Sequence, residues 1–196
     1  MGPRPRFCSY ALAAASAAIS LSACSSNVTG ARSLLSAPST VRCNTVVWRL
    51  PRGWNDYARR HGQFFTVLLG NFRLPREQDD VGELAAKRMK AGDIRVLLLG
   101  YGSARWLPPS AFRPRSLPLR IASGDLLSYF EHLPRGHRLA RKTFSVKGQA
   151  LDVHVEFAES QVSDQEIATA NRILRRLRIT PRTHVPTTCP SASPWR

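Results

Sequence analysis

The chain has 196 residues, 43% of them hydrophobic, which excludes a wholly disordered polymer and leaves room for one domain core without metal or a disulfide lattice. Its 29 Lys and Arg against 13 Asp and Glu give a formal charge of +16, which suits anionic partners such as acidic lipid, phosphate-containing wall polymer or nucleic acid. Arg outnumbers Lys 25 to 4, so GC-rich codon usage and a generally basic solvated surface also account for part of that charge, and with no CxxC pair or Cys/His cluster no zinc site or other metal is expected.

The first element is an export signal. Arg4 and Arg6 make a short positive start, and Tyr10 to Ala23 form an uncharged run of small and apolar residues. Such a run is too short for a bilayer span, which takes about 20 apolar residues, but has the length of a signal core. It ends on Leu21-Ser22-Ala23-Cys24. This motif resembles the lipobox of prokaryotic membrane lipoproteins, with a branched apolar residue, two small residues and the cysteine that becomes residue one. The resemblance implies cleavage before Cys24, a diacylglyceryl group on its sulfur and acylation by palmitate-like chains. It also implies a bacterial cell-envelope address on the outer face of the membrane, or on an outer membrane if the host has two, since Ser25 is not the retaining Asp. The mature charge is then +14, because Arg4 and Arg6 leave with residues 1–23. No later stretch reaches 18 uncharged apolar residues, so no second span is expected.

Residues 24–42 read as a flexible tether rich in Ser and other small residues. A single domain is expected over 43–179, and residues 180–196 read as an extended Pro/Ser/Thr-rich tail. Thr45 to Leu50 and Gln63 to Leu69 have strand composition, the first stopped by Pro51-Arg52-Gly53 and the second by Gly70-Asn71. Asp79-Asp80 predicts the cap of a short helix from Val81 to Ala91, with Val81, Leu84, Ala85 and Met89 on one face and a Glu83–Lys87 pair. Asp93 to Tyr101 is the most apolar run and is expected to be central. A Pro-rich loop, Leu107 to Pro118, follows.

Leu139 to Val146 and Gln149 to Phe157 flank Lys147-Gly148 and predict a hairpin with Phe144 opposite Leu151. In its second strand Leu151, Val153, Val155 and Phe157 face one way, and Asp152, His154 and Glu156 the other, beside Arg141 and Thr143. Ser163-Asp164-Gln165-Glu166 is a capping box, opening a helix to about Leu177 with Ile167, Ala170, Leu174 and Leu177 on one stripe. The expected fold is α+β: a curved antiparallel sheet packed by a C-terminal helix, with one shorter helix. The Gly53-Trp54 opening and the closing hairpin and helix, ending Arg176-Leu177-Arg178-Ile179, look like uncharacterised exported actinobacterial domains, and more remotely like PsbP-like domains. That resemblance implies a binding or assembly role and no catalytic set.

The candidate sites follow from these elements. Asp152, His154 and Glu156 could bind a metal or exchange protons, but residues two apart on a strand are about 6.5 Å apart, so a compact site needs help from elsewhere. A solvated strand face paired with Arg141 is the simpler expectation. His132 and His137 bracket a basic turn that could contact an anion, and Trp48, Trp54 and Trp106 could line a pocket or fill the core. Arg172, Arg175, Arg176 and Arg178 crowd the exposed side and negative end of the last helix and form a candidate anion-binding face. No GxSxG, phosphate loop or dinucleotide fingerprint is present, so no cofactor is expected. Cys43 and Cys189 survive maturation and could pair within the chain, closing a loop of 147 residues, or between chains. The expectation is a non-catalytic envelope domain that binds protein, lipid or anionic wall polymer. An envelope enzyme using Asp152, His154 and Glu156 is the alternative, and the exported address argues against nucleic acid as a partner.

Overall fold

A computed structural model of the chain describes residues 38–61, 64–75, 82–103, 107–108, 110–131, 133–180 and 189. Nine strands and two α-helices follow in the order β1 (Ser39–Cys43), β2 (Val46–Leu50), β3 (Asn55–His61), β4 (Phe64–Gly70), α1 (Glu83–Ala86), β5 (Ile94–Ser103), β6 (Leu126–Leu127), β7 (Arg138–Val146), β8 (Gln149–Phe157), α2 (Asp164–Leu174) and β9 (Leu177–Ile179). The strands form two antiparallel sheets, a small one ordered β1-β2-β9 and a large one ordered β3-β4-β5-β8-β7-β6. The described architecture is therefore mostly antiparallel sheet with little helix.

Local chemistry explains the hairpins. Lys147 and Gly148 both take positive φ, 50° and 75°, the backbone of a tight turn whose twist matches the strands it joins. This sets Phe144 opposite Leu151, as the sequence predicts. Gly100 has a different task. A Cβ there would lie 1.9 Å from the Phe65 ring, so only a residue without one lets Phe65 lie across the neighbouring strand.

Period-two alternation sends Val41 and Cys43 of β1, Val46, Trp48 and Leu50 of β2, and Leu177 and Ile179 of β9 inward. They share one buried cluster with Val96 and Leu98 of β5, Val153, Val155 and Phe157 of β8, and Ile167, Ala170, Ile173 and Leu174 of α2. The Trp48 Nε1–H donates to the Ile173 carbonyl at 2.8 Å, which satisfies a donor deep in that cluster. Trp48 and Trp54 are both core residues, and Trp106 lies outside the described residues.

The structure differs from the sequence expectations at four places. β1 begins at Ser39, inside the stretch read as tether, because its inward Val41 and Cys43 are enough to pair with β2. β3 is a polar edge strand on the β4 hairpin, and its composition gave no strand signal. The first helix is a single turn, Glu83–Ala86, after Gly82 in left-handed geometry. Leu84 is exposed, while Ala85, Ala86 and Met89 are buried. Its Glu83–Lys87 pair forms at 3.6 Å, and the proposed Asp79-Asp80 cap and Val81 lie outside the described residues. Finally, α2 stops at Leu174, and Leu177 is buried from a strand instead of a helix. Its start is as expected: Ser163 N donates to Glu166 Oε2 at 2.8 Å, and Glu166 N donates to Ser163 Oγ.

Cys43 and Cys189 are joined in a disulfide with their Cα atoms 4.2 Å apart, and Cys189 packs against the core. Closing so long a loop contributes about 4–5 kcal/mol by the chain-entropy argument. No helix among the described residues is long and apolar enough to cross a membrane.

Candidate functional site

Two charged regions stand out, and they are built differently. The first lies on the second face of the large sheet. β8 alternation turns Asp152, His154 and Glu156 away from the core cluster, but not into water: their exposures are 1%, 8% and 0%. The expectation of a solvated strand face is thus corrected. The countercharges come from both neighbouring strands. In register, Arg95 of β5 stands beside Glu156, Arg141 of β7 beside His154, and Thr143 beside Asp152.

Each carboxylate is held by one arginine and one histidine. Glu156 pairs with Arg95, and its Oε1 lies 2.6 Å from His137 Nδ1. Arg95 also donates to the Gly82 carbonyl at 2.5 Å. Asp152 receives Arg141 Nε at 2.9 Å, Arg141 Nη2 at 2.6 Å and Thr143 Oγ1 at 3.2 Å. His154 Nε2 lies 3.2 Å from Asp152 Oδ2. The Phe130 ring covers the group, meeting the His154 ring edge-on at 5.3 Å and Arg141 across its face at 5.3 Å.

These contacts shift the ionisation of the group. Burial alone would push the Asp152 carboxyl up, but His154 and Arg141 outweigh it and hold it below the ordinary 3.8. The hydrogen bond to Asp152 in turn raises Arg141. Burial, reinforced by the Asp152 charge, raises the Tyr101 hydroxyl. Chemically, the arrangement is a pair of neutralised carboxylates with no exposed face. Among the described residues, no group of three or more His, Cys, Asp or Glu is placed to hold a metal ion. Of the two histidines bracketing the basic turn, His137 contacts Glu156, and His132 lies outside the described residues. The sequence reading missed Arg95. Its signal is a lone cation inside the apolar run Ile94 to Leu99, which demands a buried anion on an adjacent strand.

The second region is an open groove of about 730 Å³ between the Ser116-Leu117-Pro118 segment, the β7–β8 turn and the end of α2. The groove follows from local pairing. Arg115 N donates to the Ser145 carbonyl at 2.9 Å, and Ser145 N to the Arg113 carbonyl at 3.0 Å, so residues 113–115 run along the edge of β7. Lys147 Nζ donates to the Ile179 carbonyl at 2.9 Å and ties the turn to β9. Leu117, Pro118, Val146 and Ile179 supply an apolar floor, and Lys147, Arg175 and Arg178 its charges.

The four arginines proposed as an anion-binding face are all exposed, and two of them line the groove. Arg175 and Arg178 line the groove. Arg178 Nη1 donates to the Arg175 and Leu177 carbonyls at 2.8 and 3.0 Å, capping the end of α2. Arg172 bonds Thr169 Oγ1 at 2.7 Å on the helix itself. Neither Arg172 nor Arg176 lines the groove. Cys24 lies outside the described residues. No family model, no curated protein and no solved structure matches the chain.

Proposed function

We propose that this chain is an exported lipoprotein of the bacterial cell envelope, held on a membrane through lipid on Cys24, whose domain binds a partner rather than catalysing a reaction. The signal-like start and the Leu21-Ser22-Ala23-Cys24 motif support the anchor. The observation that carries the binding role is the groove, where Lys147, Arg175 and Arg178 surround an apolar floor. We also read the large sheet as curved and closed by α2, supported by the burial of Ile167, Ala170, Ile173 and Leu174 with the inward strand residues.

The enzyme reading gains one observation, that Asp152, His154 and Glu156 gather with His137 and two arginines. Against it, both carboxylates are already engaged and are at most 1% exposed, so a substrate has no route to them without displacing an arginine.

Labelling with an alkyne fatty acid during expression tests the anchor. The label is expected on the wild-type chain and absent from Cys24→Ala, which should accumulate as unprocessed or misprocessed precursor. Undiminished labelling of Cys24→Ala overturns the reading.

A further inference from the structure

The alternation that buries one face of the small sheet exposes the other. Thr40 and Arg42 of β1, Val47 and Arg49 of β2, and Arg178 of β9 point outward. The register places Arg42, Val47 and Arg178 in one row across the three strands, and Thr40 with Arg49 in the next. Facing side chains on adjacent strands are about 5 Å apart, so three arginines share one face of a sheet three strands wide. Arg178 also lines the groove with Arg175 and Lys147, which joins the patch and the groove into one basic surface.

Among the described residues, no carboxylate pairs with this surface. Residues 38–54 and 167–180 contain no Asp or Glu. Among the described residues, Arg42, Arg49 and Arg175 pair with no acid, unlike Arg95 and Arg141 on the large sheet. Like charges crowded on one face repel each other, and a dense anionic surface relieves that repulsion. Guanidinium groups match phosphate oxygens two at a time.

From this we infer that the outer face of the small sheet and the adjoining groove form a docking surface for an anionic phospholipid bilayer, with the arginines on lipid phosphates and the groove taking a headgroup and its glycerol. One feature favours a bilayer over a soluble polyanion: the floor of the groove is apolar, supplied by Leu117, Pro118, Val146 and Ile179. The inference rests on the envelope reading above. In that reading the 15 residues from Cys24 to Pro38 reach at most about 50 Å when extended, long enough for the domain to lie down on its own membrane.

Vesicle flotation of the full chain carrying Cys24→Ala tests it, comparing phosphatidylcholine vesicles with phosphatidylcholine–phosphatidylglycerol vesicles. The readout is the ratio of acidic to neutral binding in each variant relative to the unsubstituted Cys24→Ala chain, because Arg4 and Arg6 of the uncleaved start add the same acidic preference to every variant. Each basic residue at an anionic leaflet contributes a factor of about five, so Arg42→Gln/Arg49→Gln/Arg175→Gln should lower the ratio roughly 100-fold. Arg88→Gln/Lys90→Gln/Arg135→Gln removes the same charge from exposed positions outside the surface and should lower it less than about fivefold. If the triple variant fails to show the wild-type circular dichroism, Arg49→Gln alone should lower the ratio about fivefold. Equal losses in both triple variants, or no preference for acidic vesicles in the wild type, overturn the inference. So does complete release from acidic vesicles by soluble poly(glycerol phosphate) at matched phosphate, which would make the partner a polymer. The fatty-acid label on Cys24 is scored separately, so a failed anchor and a failed docking surface give different results.

Discussion

The two sheets treat their arginines in opposite ways. On the large sheet, Arg95 and Arg141 are matched to Glu156 and Asp152, and the carboxylates are buried. On the small sheet, Arg42 and Arg49 are exposed and matched to nothing among the described residues. A buried charge must be paired, because leaving it alone in the interior costs several kcal/mol. An exposed charge needs no partner to fold, so its placement is left to function or to composition. The first set therefore serves stability, and the second is free to serve the binding proposed above.

The sharpest way to break that comparison is Glu156→Ala. It removes the buried carboxylate that faces Arg95, whose side chain is only 9% exposed, and His137. The expected loss is about 3–5 kcal/mol in urea unfolding. Replacing both partners, Arg95→Met with Glu156→Leu, should recover most of that loss, since a buried ion pair exchanged for apolar residues is often neutral or better. A loss below 1 kcal/mol in Glu156→Ala would show that water reaches the site, and would reopen the enzyme reading.

Much of the large sheet was legible because its strands obey simple patterns. The alternation of Leu151, Val153, Val155 and Phe157, the Lys147-Gly148 turn and the Ser163–Glu166 cap each report a local preference. β3 and β1 were not legible, since an edge strand buries one side only and Asn55–His61 carries few apolar residues. The burial of the Asp152 face was hidden for another reason. A strand's own residues cannot say what covers its second face, and the cation that answers Glu156 sits 61 positions earlier, at Arg95. Arg172 to Arg178 was visible as a run of charge. The union of Arg178 with Arg42 exists only because β9 returns to pair with β2.

Asp152→Ala should cost less than Glu156→Ala, about 1.5–3 kcal/mol, because Arg141 has a 41% exposed side chain and can turn to water once its partner is gone. The intact pair also has a pH signature. Asp152 is held below 3.8 when folded, so the unfolded chain binds that proton more tightly. Its stabilisation is complete above the ordinary carboxylate range and drains as pH falls through 3.8 towards the folded value. Asp125 follows the same direction: burial acts upward on it, and Lys142 at 2.5 Å, the Ala122 N–H and nearby positive charge overcome that. Asp56 runs the other way, since burial raises it and its contribution is lost as pH rises through the raised value. Urea midpoints should therefore fall between about pH 5 and pH 3, and Asp152→Asn should flatten part of that slope. A slope unchanged by Asp152→Asn would assign the acid sensitivity elsewhere.

The smallest expected effect is the most informative about the exposed set. Arg49 lies on the middle strand of the small sheet's outward face, with Thr40 as its cross-strand neighbour and, among the described residues, no ion pair. Replacing it by Ala removes neither a buried contact nor an ion pair, so stability should move by no more than about 0.5 kcal/mol. If the arginines only repel one another, Arg49→Ala should be slightly stabilising in low salt, and the gain should vanish as salt shortens the screening length to about 8 Å. A clear destabilisation, above 1 kcal/mol in both low and high salt, would mean that Arg49 is held by structure in the same way as Arg95. The division between cations paired to buried carboxylates and free, exposed ones would then fail, and with it the argument that the small sheet keeps its charge for a partner.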